Sequence, residues 1–144
     1  MVSIIGRPSV GKSTLLNKIV GEKVAIVSKV PQTTRNPIRG IYTDERGQIV
    51  FIDTPGLHPG KDALDKFMKK TSYGVTHDAD VVIHLVDSSK RVGEEEEAIV
   101  QNLNSLGCPV IVGLNKVDLS DRSIPDYILL WEKVAGKKVQ EQEN

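Results

Sequence analysis

One eight-residue segment near the start constrains the fold of this chain more than any other part of the sequence. Residues 6–13 match the pattern G-x-x-x-x-G-K-[ST] in full. The apolar run Val2–Ile5 precedes the segment, and residues 14–20 follow it with the residue spacing of a helix. A strand, a glycine-rich loop and a helix in this order predict a loop that wraps around phosphate groups.

The chemistry of this segment explains the prediction. Gly6 and Gly11 have no Cβ, so the backbone can approach phosphates closely with its N–H groups turned inward. The helix N-terminus adds unpaired N–H donors and a partial positive charge. Lys12 is predicted to reach the β- and γ-phosphates, and the Ser13 hydroxyl to ligate Mg²⁺. The predicted nucleotide-binding residues of the segment are Gly6, Arg7, Pro8, Ser9, Val10, Gly11, Lys12, Ser13 and Thr14.

The rest of the chain alternates short apolar runs with helical patterns. Four nearly apolar runs fit parallel strands that are covered on both faces: residues 2–5, 49–52, 81–86 and 110–114. Three segments have helical periodicity: residues 64–75, 92–106 and 124–135, the last stopped by Gly136. Residues 38–43 and 48–52 flank a short glycine-containing turn, which predicts one antiparallel hairpin. We therefore predict a three-layer α/β/α domain with a mostly parallel sheet and one antiparallel strand.

A second motif, Asn-Lys-Val-Asp at residues 115–118, follows an apolar strand at its carboxyl end, where open α/β sheets bind ligands. Guanine presents two adjacent donors, and the single carboxylate of Asp118 can accept both of them. Adenine offers an acceptor on that edge, and an unpaired buried carboxylate costs about 1–3 kcal/mol. The motif thus predicts guanine over adenine. Asn115 is expected to join the loops and contact the base, with the Lys116 stem against its face.

Two further segments are predicted to respond to the γ-phosphate. Asp53 opens the sequence Asp-Thr-Pro-Gly and is expected to hold Mg²⁺ through a water, while the Gly56 N–H contacts the γ-phosphate. Thr33 and Thr34 lie in a long loop before the hairpin, and Thr34 is favoured as an Mg²⁺ ligand. Because both segments lose a partner when the γ-phosphate leaves, they are predicted to act as a switch. The predicted catalytic residues are Lys12, Thr34 and Gly56.

The residue after Asp-Thr-Pro-Gly is Leu57, where many GTPases carry a glutamine that orients the attacking water. Because a leucine side chain cannot form hydrogen bonds, intrinsic GTP hydrolysis is expected to be slow. Two alternatives stand beside a slow GTPase switch. One is a domain that binds GTP or GDP with negligible turnover. The other is a P-loop ATPase or small-molecule kinase, which the motif at residues 115–118 opposes.

The amino-acid composition limits the partners and the cellular location that are compatible with this chain. Nineteen Lys and Arg residues balance nineteen Asp and Glu residues, so no excess positive charge draws this chain onto nucleic acid or anionic lipid. Cys108 is the one cysteine of the 144 residues, which favours a reducing compartment and a cytoplasmic location. Apolar runs of about five or six residues are far too short to span a bilayer.

Four segments together resemble the Era family of bacterial GTPases, within the TrmE-Era-EngA-septin group of P-loop GTPases. They are the phosphate loop with its following Thr-Leu-Leu-Asn-Lys, Gln-Thr-Thr-Arg at residues 32–35, Asp-Thr-Pro-Gly-Leu-His at 53–58, and Asn-Lys-Val-Asp at 115–118. The likeness covers residues 2 to about 120. It implies a monomeric GTPase of 30S ribosomal subunit assembly, cytoplasmic with peripheral contact at the inner membrane. A following KH domain contacts 16S ribosomal RNA in that family.

Two departures from the family pattern carry expectations of their own. The broader group often has an asparagine at the position of Ser9, where it supports a potassium ion, so Ser9 argues against potassium activation. We also expect residues 1–144 to form a GTP-binding domain that lacks the family's last strand, its Ser-Ala guanine-binding turn, its closing helix and the KH domain. An exposed sheet edge and weaker nucleotide binding are then expected.

Several conspicuous residues are given structural roles. The acidic run of residues 94–97 is interpreted as the solvated start of a helix, whose dipole favours negative charge there. Cys108 and Trp131 are expected to pack in the interior. The three histidines, His58, His77 and His84, have no partner that the sequence identifies and are assigned no chemistry.

Overall fold

Apolar runs and amphipathic segments fold into five strands and three helices in the part of the chain that the structure describes. The structure is a computed structural model and describes residues 1–7, 9–21, 38–52 and 79–140. The elements in chain order are β1 (Val2–Ile5), α1 (Lys12–Val20), β2 (Ile38–Asp44), β3 (Gly47–Ile52), β4 (Val81–Asp87), α2 (Glu94–Ser105), β5 (Val110–Asn115) and α3 (Ile124–Ala135). The predicted loop before the hairpin and the predicted helix over residues 64–75 lie outside the described residues.

The strands form one sheet in the order β2-β3-β1-β4-β5. β1 lies parallel to β3 and β4, and β4 lies parallel to β5. β2 runs antiparallel to β3. The turn between them is closed by Asp44, whose Oδ1 accepts a hydrogen bond of 2.8 Å from the Arg46 N–H, and by Gly47 at a φ of 149°. The predicted mostly parallel sheet with one antiparallel hairpin is confirmed.

Helices cover both faces of this sheet. Ile5 of β1 is paired in register with His84 of β4, so both side chains lie on the face that packs against α2 and α3. The buried residues of this core are Ile5, Val82, Ile99, Val100, Leu103 and Trp131. On the opposite face Gly40 of β2 packs closely against α1. A Cβ added at Gly40 would lie only 3.1 Å from Val20 Cγ2. The predicted three-layer arrangement is therefore confirmed, as is the interior position of Trp131.

α3 has the bounds that the sequence predicts. Pro125 occupies its first turn, where the missing N–H has no intrahelical partner to lose. Gly136 ends the helix in the left-handed conformation, with a φ of 69°, and its N–H donates to the Glu132 carbonyl at 2.9 Å. No helix in the described ranges is long and apolar enough to cross a bilayer.

The start of α2 differs from its prediction. Glu94, Glu95 and Glu97 are exposed, but the side chain of Glu96 is completely buried. Helical periodicity explains the difference, because a residue three or four positions before Ile99 and Val100 lies on the same face as they do. The interpretation of a wholly solvated acidic run is therefore wrong at Glu96.

Candidate functional site

The glycine-rich loop leaves the carboxyl end of β1 and is held tightly against the neighbouring strand. A Cβ added at Gly6 would lie 2.3 Å from the Leu85 carbonyl oxygen of β4 and 2.9 Å from Val10 Cγ2. Any larger residue at this position would push the loop away from the sheet. Gly6 is thus required by close packing, and the start of the loop is held at a fixed position against β4. Pro8 lies outside the described residues.

Lys12 folds back over this loop. Its Nζ donates hydrogen bonds to the Gly6 carbonyl at 2.5 Å and to the Arg7 carbonyl at 3.0 Å. Burial lowers the pKa of Lys12, and the negative charge of Glu96 opposes part of that shift. The ammonium group therefore lies inside the curve of the loop, where an anionic oxygen could take the place of the two carbonyl partners.

The N-terminus of α1 presents its donors without competition from the described side chains. Gly11 is the N-cap residue, no side chain caps the helix, and its first turn contains no acidic residue. Ser13 and Thr14 lie exposed in that turn. Free N–H groups and the helix dipole at such an end suit a phosphate group.

The Ser13 hydroxyl is the one member of the predicted Mg²⁺ set that falls within the described ranges. A hydroxyl oxygen is a hard ligand that fits Mg²⁺, and Ser13 lies in the first turn of α1, beside the uncapped N-terminus of the helix. Thr33, Thr34, Asp53, Gly56 and Leu57 all lie outside the described residues. In the described part of the chain no group of three or more His, Cys, Asp or Glu side chains could hold a metal ion.

The end of β5 reaches across to the glycine-rich loop. The Asn115 side-chain amide donates to the Val10 carbonyl at 2.7 Å, and Lys116 Nζ donates to the Ser9 carbonyl at 2.8 Å. Ser9 and Lys116 both adopt positive φ angles, 64° and 59°. The two motifs, more than a hundred residues apart in sequence, thus form one continuous site along the carboxyl ends of β1, β4 and β5.

Asp87, at the end of β4, belongs to this site and was not identified from the sequence. Its Oδ1 accepts hydrogen bonds from the Ser89 N–H and hydroxyl, and its Oδ2 accepts one from Lys116 Nζ at 3.0 Å. Burial acts to raise the pKa of Asp87, but the hydrogen bonds from Ser89 and Lys116 outweigh it and hold the pKa below its usual range. The one signal in the sequence is an acidic residue at the carboxyl end of a buried strand.

Asp118 follows in an exposed turn at the end of β5. The turn is closed by a hydrogen bond of 3.0 Å from the Leu119 N–H to the Lys116 carbonyl. Val117 and Leu119 on either side of Asp118 are also exposed, at 51% and 68%. The carboxylate is therefore accessible to a planar group that lies against Lys116.

Replacing Gly11 by alanine is expected to lower the free energy of unfolding by about 2–4 kcal/mol. Gly11 has a φ of 106°, and an added Cβ would lie 2.4 Å from Asn115 Nδ2, so the Asn115–Val10 hydrogen bond would break. Urea unfolding measures the loss. Gly107→Ala is the control, because Gly107 also has a positive φ, 74°, but open space around its Cβ position. Equal losses in the two variants would contradict this contact.

Comparison with known proteins identifies relatives of this chain. The family model described as 50S ribosome-binding GTPase matches residues 1–116. The protein named GTPase Era from Clostridioides difficile (strain 630) is 50% identical over 134 residues, which are 92% of this chain and 45% of that protein. The chain therefore spans somewhat under half the length of this relative.

Two solved structures have the same fold. Era in complex with MgGDPNP and nucleotides 1506–1542 of 16S ribosomal RNA superposes with a TM-score of 0.64 at 31% identity, covering 96% of this chain and 48% of that one. A variant of Aquifex aeolicus Era bound to GDP and AlF4⁻ gives a TM-score of 0.58 at 32% identity, covering 94% and 46%. Both matches extend over nearly all of the chain.

Proposed function

We propose a function that follows from the family of this chain. The chain belongs to the 50S ribosome-binding GTPases and, within them, to the proteins named GTPase Era. It binds GTP and hydrolyses it to GDP and phosphate with Mg²⁺, as a conformational switch. The observation that carries this proposal is the contact between the glycine-rich loop and the motif of residues 115–118. One motif suits phosphates and the other suits guanine, and the fold joins them in one site.

The phosphate half of the proposed site is built on Lys12 and the backbone around it. Lys12 now donates to two loop carbonyls, at 2.5 and 3.0 Å, and would exchange them for β- and γ-phosphate oxygens. The uncapped N-terminus of α1 supplies N–H donors to the same phosphates. The loop residues Gly6, Arg7, Pro8, Ser9, Val10 and Gly11, with Ser13 and Thr14, complete the proposed phosphate site.

The base half of the proposed site lies at the end of β5. Asp118 is exposed and accepts the two guanine donors, while Asn115 and Lys116 hold the pocket against the glycine-rich loop. Asp87 draws Lys116 Nζ to one side at 3.0 Å, which leaves the aliphatic stem of Lys116 to cover the base. Adenine would set a lone pair against Asp118, so ATP is disfavoured.

Mg²⁺ fits the hydroxyl oxygen of Ser13 and, when bound with GTP, neutralises charge on the β- and γ-phosphates. We propose that Thr34 and, through a water, Asp53 complete its ligands. We also propose that the Gly56 N–H contacts the γ-phosphate, so that both segments respond to hydrolysis. Lys12, Thr34 and Gly56 are the proposed catalytic residues, since in this proposal they would touch the oxygens that gain charge in the transition state.

Turnover is proposed to be slow, because Leu57 replaces the glutamine that orients water in many GTPases. We expect phosphate release below about 10⁻² s⁻¹ without an activator, on the scale of unassisted GTPases. With Ser9 in the loop, replacing NaCl by KCl is expected to leave this rate unchanged. A rate that rises severalfold in KCl would contradict the argument from Ser9.

A role in 30S ribosomal subunit assembly extends this proposal to the whole protein. It is supported by the Era structure that contains 16S ribosomal RNA. The balance of nineteen positive and nineteen negative residues suggests that RNA is contacted outside this chain, in the KH domain that the resemblance implies. A monomeric protein in the cytoplasm, with one cysteine in these 144 residues, is part of the same proposal.

Titration with fluorescent GTP and ATP analogues in the presence of Mg²⁺ tests the central claim. We expect the GTP analogue to bind about 5–150-fold more tightly, because an adenine lone pair that covers the Asp118 carboxylate leaves it unpaired at a cost of about 1–3 kcal/mol. A time course of phosphate release then tests hydrolysis. Equal binding of the two analogues would favour an ATPase or kinase, and GTP binding without phosphate release would favour a binding-only domain.

A further inference from the structure

A chain of buried polar contacts runs from the glycine-rich loop into the packed interior. Arg7 Nε lies 2.7 Å from Glu96 Oε2, an ion pair that is not an aligned hydrogen bond. Glu96 Oε1 lies 2.8 Å from His84 Nε2, and Trp131 Nε1 donates to His84 Nδ1 at 3.0 Å. Glu96 and His84 are completely buried and Trp131 is 6% exposed. The series of contacts thus joins four parts of the fold: the glycine-rich loop, α2, β4 and α3.

The hydrogen bonds between Trp131, His84 and Glu96 determine which nitrogen of His84 carries a proton. Because the Trp131 N–H can only donate, His84 Nδ1 must accept and carries no proton. The proton of the neutral imidazole is then on Nε2, which donates it to Glu96 Oε1. Glu96 therefore remains a carboxylate with one oxygen committed to His84 and the other to Arg7.

Arg7 is held at both ends. Its backbone carbonyl accepts the hydrogen bond from Lys12 Nζ, and its guanidinium, 20% exposed, pairs with Glu96. A second guanidinium nitrogen, NH2, donates to the Tyr127 hydroxyl at 3.3 Å, and that hydroxyl donates to the Lys90 carbonyl at 3.1 Å. A residue of the glycine-rich loop is thus anchored to α2 through a carboxylate that has no exposure to solvent, and to α3 through the Tyr127 hydroxyl.

We propose that Glu96 is a positioning residue for the phosphate site. It fixes Arg7, and with it the backbone that faces Lys12, while His84 and Trp131 hold the carboxylate in place. This inference rests on the proposed function, since it assigns Glu96 to the phosphate half of that site. A buried carboxylate near phosphates is unfavourable by charge alone, so a benefit to binding must come from the geometry that it imposes on the loop.

The first test needs no nucleotide. Glu96→Gln keeps an oxygen acceptor for His84 and removes the charge that holds Arg7. We expect faster amide hydrogen exchange in residues 6–13 of the variant, with exchange in β4 and α3 unchanged. Glu95→Gln is the matched control, because it removes the same charge from the same turn at an exposed position. A change spread evenly over the chain would mean that Glu96 only stabilises the fold, and would overturn the proposal.

The second test measures affinity for Mg-GTP and GDP. Glu96→Gln is expected to weaken both by about tenfold, whereas Glu95→Gln leaves both unchanged. Unchanged or tighter binding in Glu96→Gln would overturn the proposal, because removing a negative charge without loss of geometry favours anions. If the unsubstituted chain bound neither nucleotide, the proposed function would fail, while the exchange test would still decide the role of Glu96.

A second variant, Arg7→Met, keeps the proposal testable if Glu96→Gln does not fold, and where both fold the two form a double-mutant cycle. Arg7→Met removes the guanidinium but keeps an unbranched stem, and it tests the other end of the same ion pair. We expect Arg7→Met to accelerate exchange in the loop as Glu96→Gln does. The double variant is expected to lose no more nucleotide affinity than either single one. Additive losses in affinity would show independent effects and would overturn the proposal.

Discussion

Replacing Lys12 by alanine is expected to lower the affinity for Mg-GTP by about a hundredfold or more. The ammonium group is proposed to donate to oxygens on two phosphates, and each hydrogen bond to a charged group contributes about 1.5–3 kcal/mol. The loss for GDP should be smaller, because the γ-phosphate partner is missing. Titration of a fluorescent GTP analogue and a fluorescent GDP analogue measures both losses.

The structure supplies the control for this experiment. Lys18→Ala removes the same charge from the same helix, but Lys18 lies exposed in its last turn, away from the loop. Its nucleotide affinity should match that of the unsubstituted chain. Because Lys12 also donates to the Gly6 and Arg7 carbonyls, the variant's unfolding should be measured in parallel. A folded Lys12→Ala variant that bound GTP normally would remove Lys12 from the phosphate site.

Asp118→Asn is expected to exchange the preferred base. The amide of asparagine can accept only one of the two guanine donors and sets its own N–H₂ against the other, so GTP affinity should fall roughly 10–100-fold. Xanthine carries a carbonyl where guanine has its amino group, and that carbonyl can accept the new donor. Affinity for xanthosine triphosphate should therefore rise while affinity for GTP falls. Competition between the two nucleotides for a fluorescent analogue measures the exchange.

Asp121→Asn is the matched variant, because Asp121 is an exposed aspartate three residues further along the same loop. It should leave the preference for GTP unchanged. The Lys12 and Asp118 experiments are independent, since these residues lie in the phosphate and base halves of the proposed site. Loss of GTP binding in Asp118→Asn with no gain for the xanthine nucleotide would contradict direct recognition of the base.

Much of the fold follows from local patterns in the chain. β1 and α3 have the predicted bounds because their limits are local: a glycine-rich break ends β1, and Pro125 and Gly136 bracket α3. The hairpin of β2 and β3 follows from two strand-forming runs on either side of a short glycine-containing turn. Parallel pairing follows in turn, because apolar strands separated by helices have few other ways to bury both faces. These features depend on neighbours within a few residues.

The two motifs of the site can be recognised from the sequence for a similar reason. A glycine-rich loop between a strand and a helix must present its N–H groups at the helix end, whatever lies elsewhere in the chain. Residues 115–118 follow a strand whose carboxyl end has one direction in a parallel sheet. The sequence alone therefore indicates both halves of a site and predicts that they are close.

The contacts that hold this site together depend on long-range packing. Glu96 is one of four consecutive glutamates, and only the helix face that meets β4 distinguishes it from its exposed neighbours. Asp87 accepts a hydrogen bond from Lys116, 29 residues away in sequence, and His84 accepts one from Trp131, 47 residues away. No periodic pattern in the sequence indicates which residues form hydrogen bonds over such separations. The partners of a buried polar group are set by how strands and helices stack, and that stacking exists only in the folded chain.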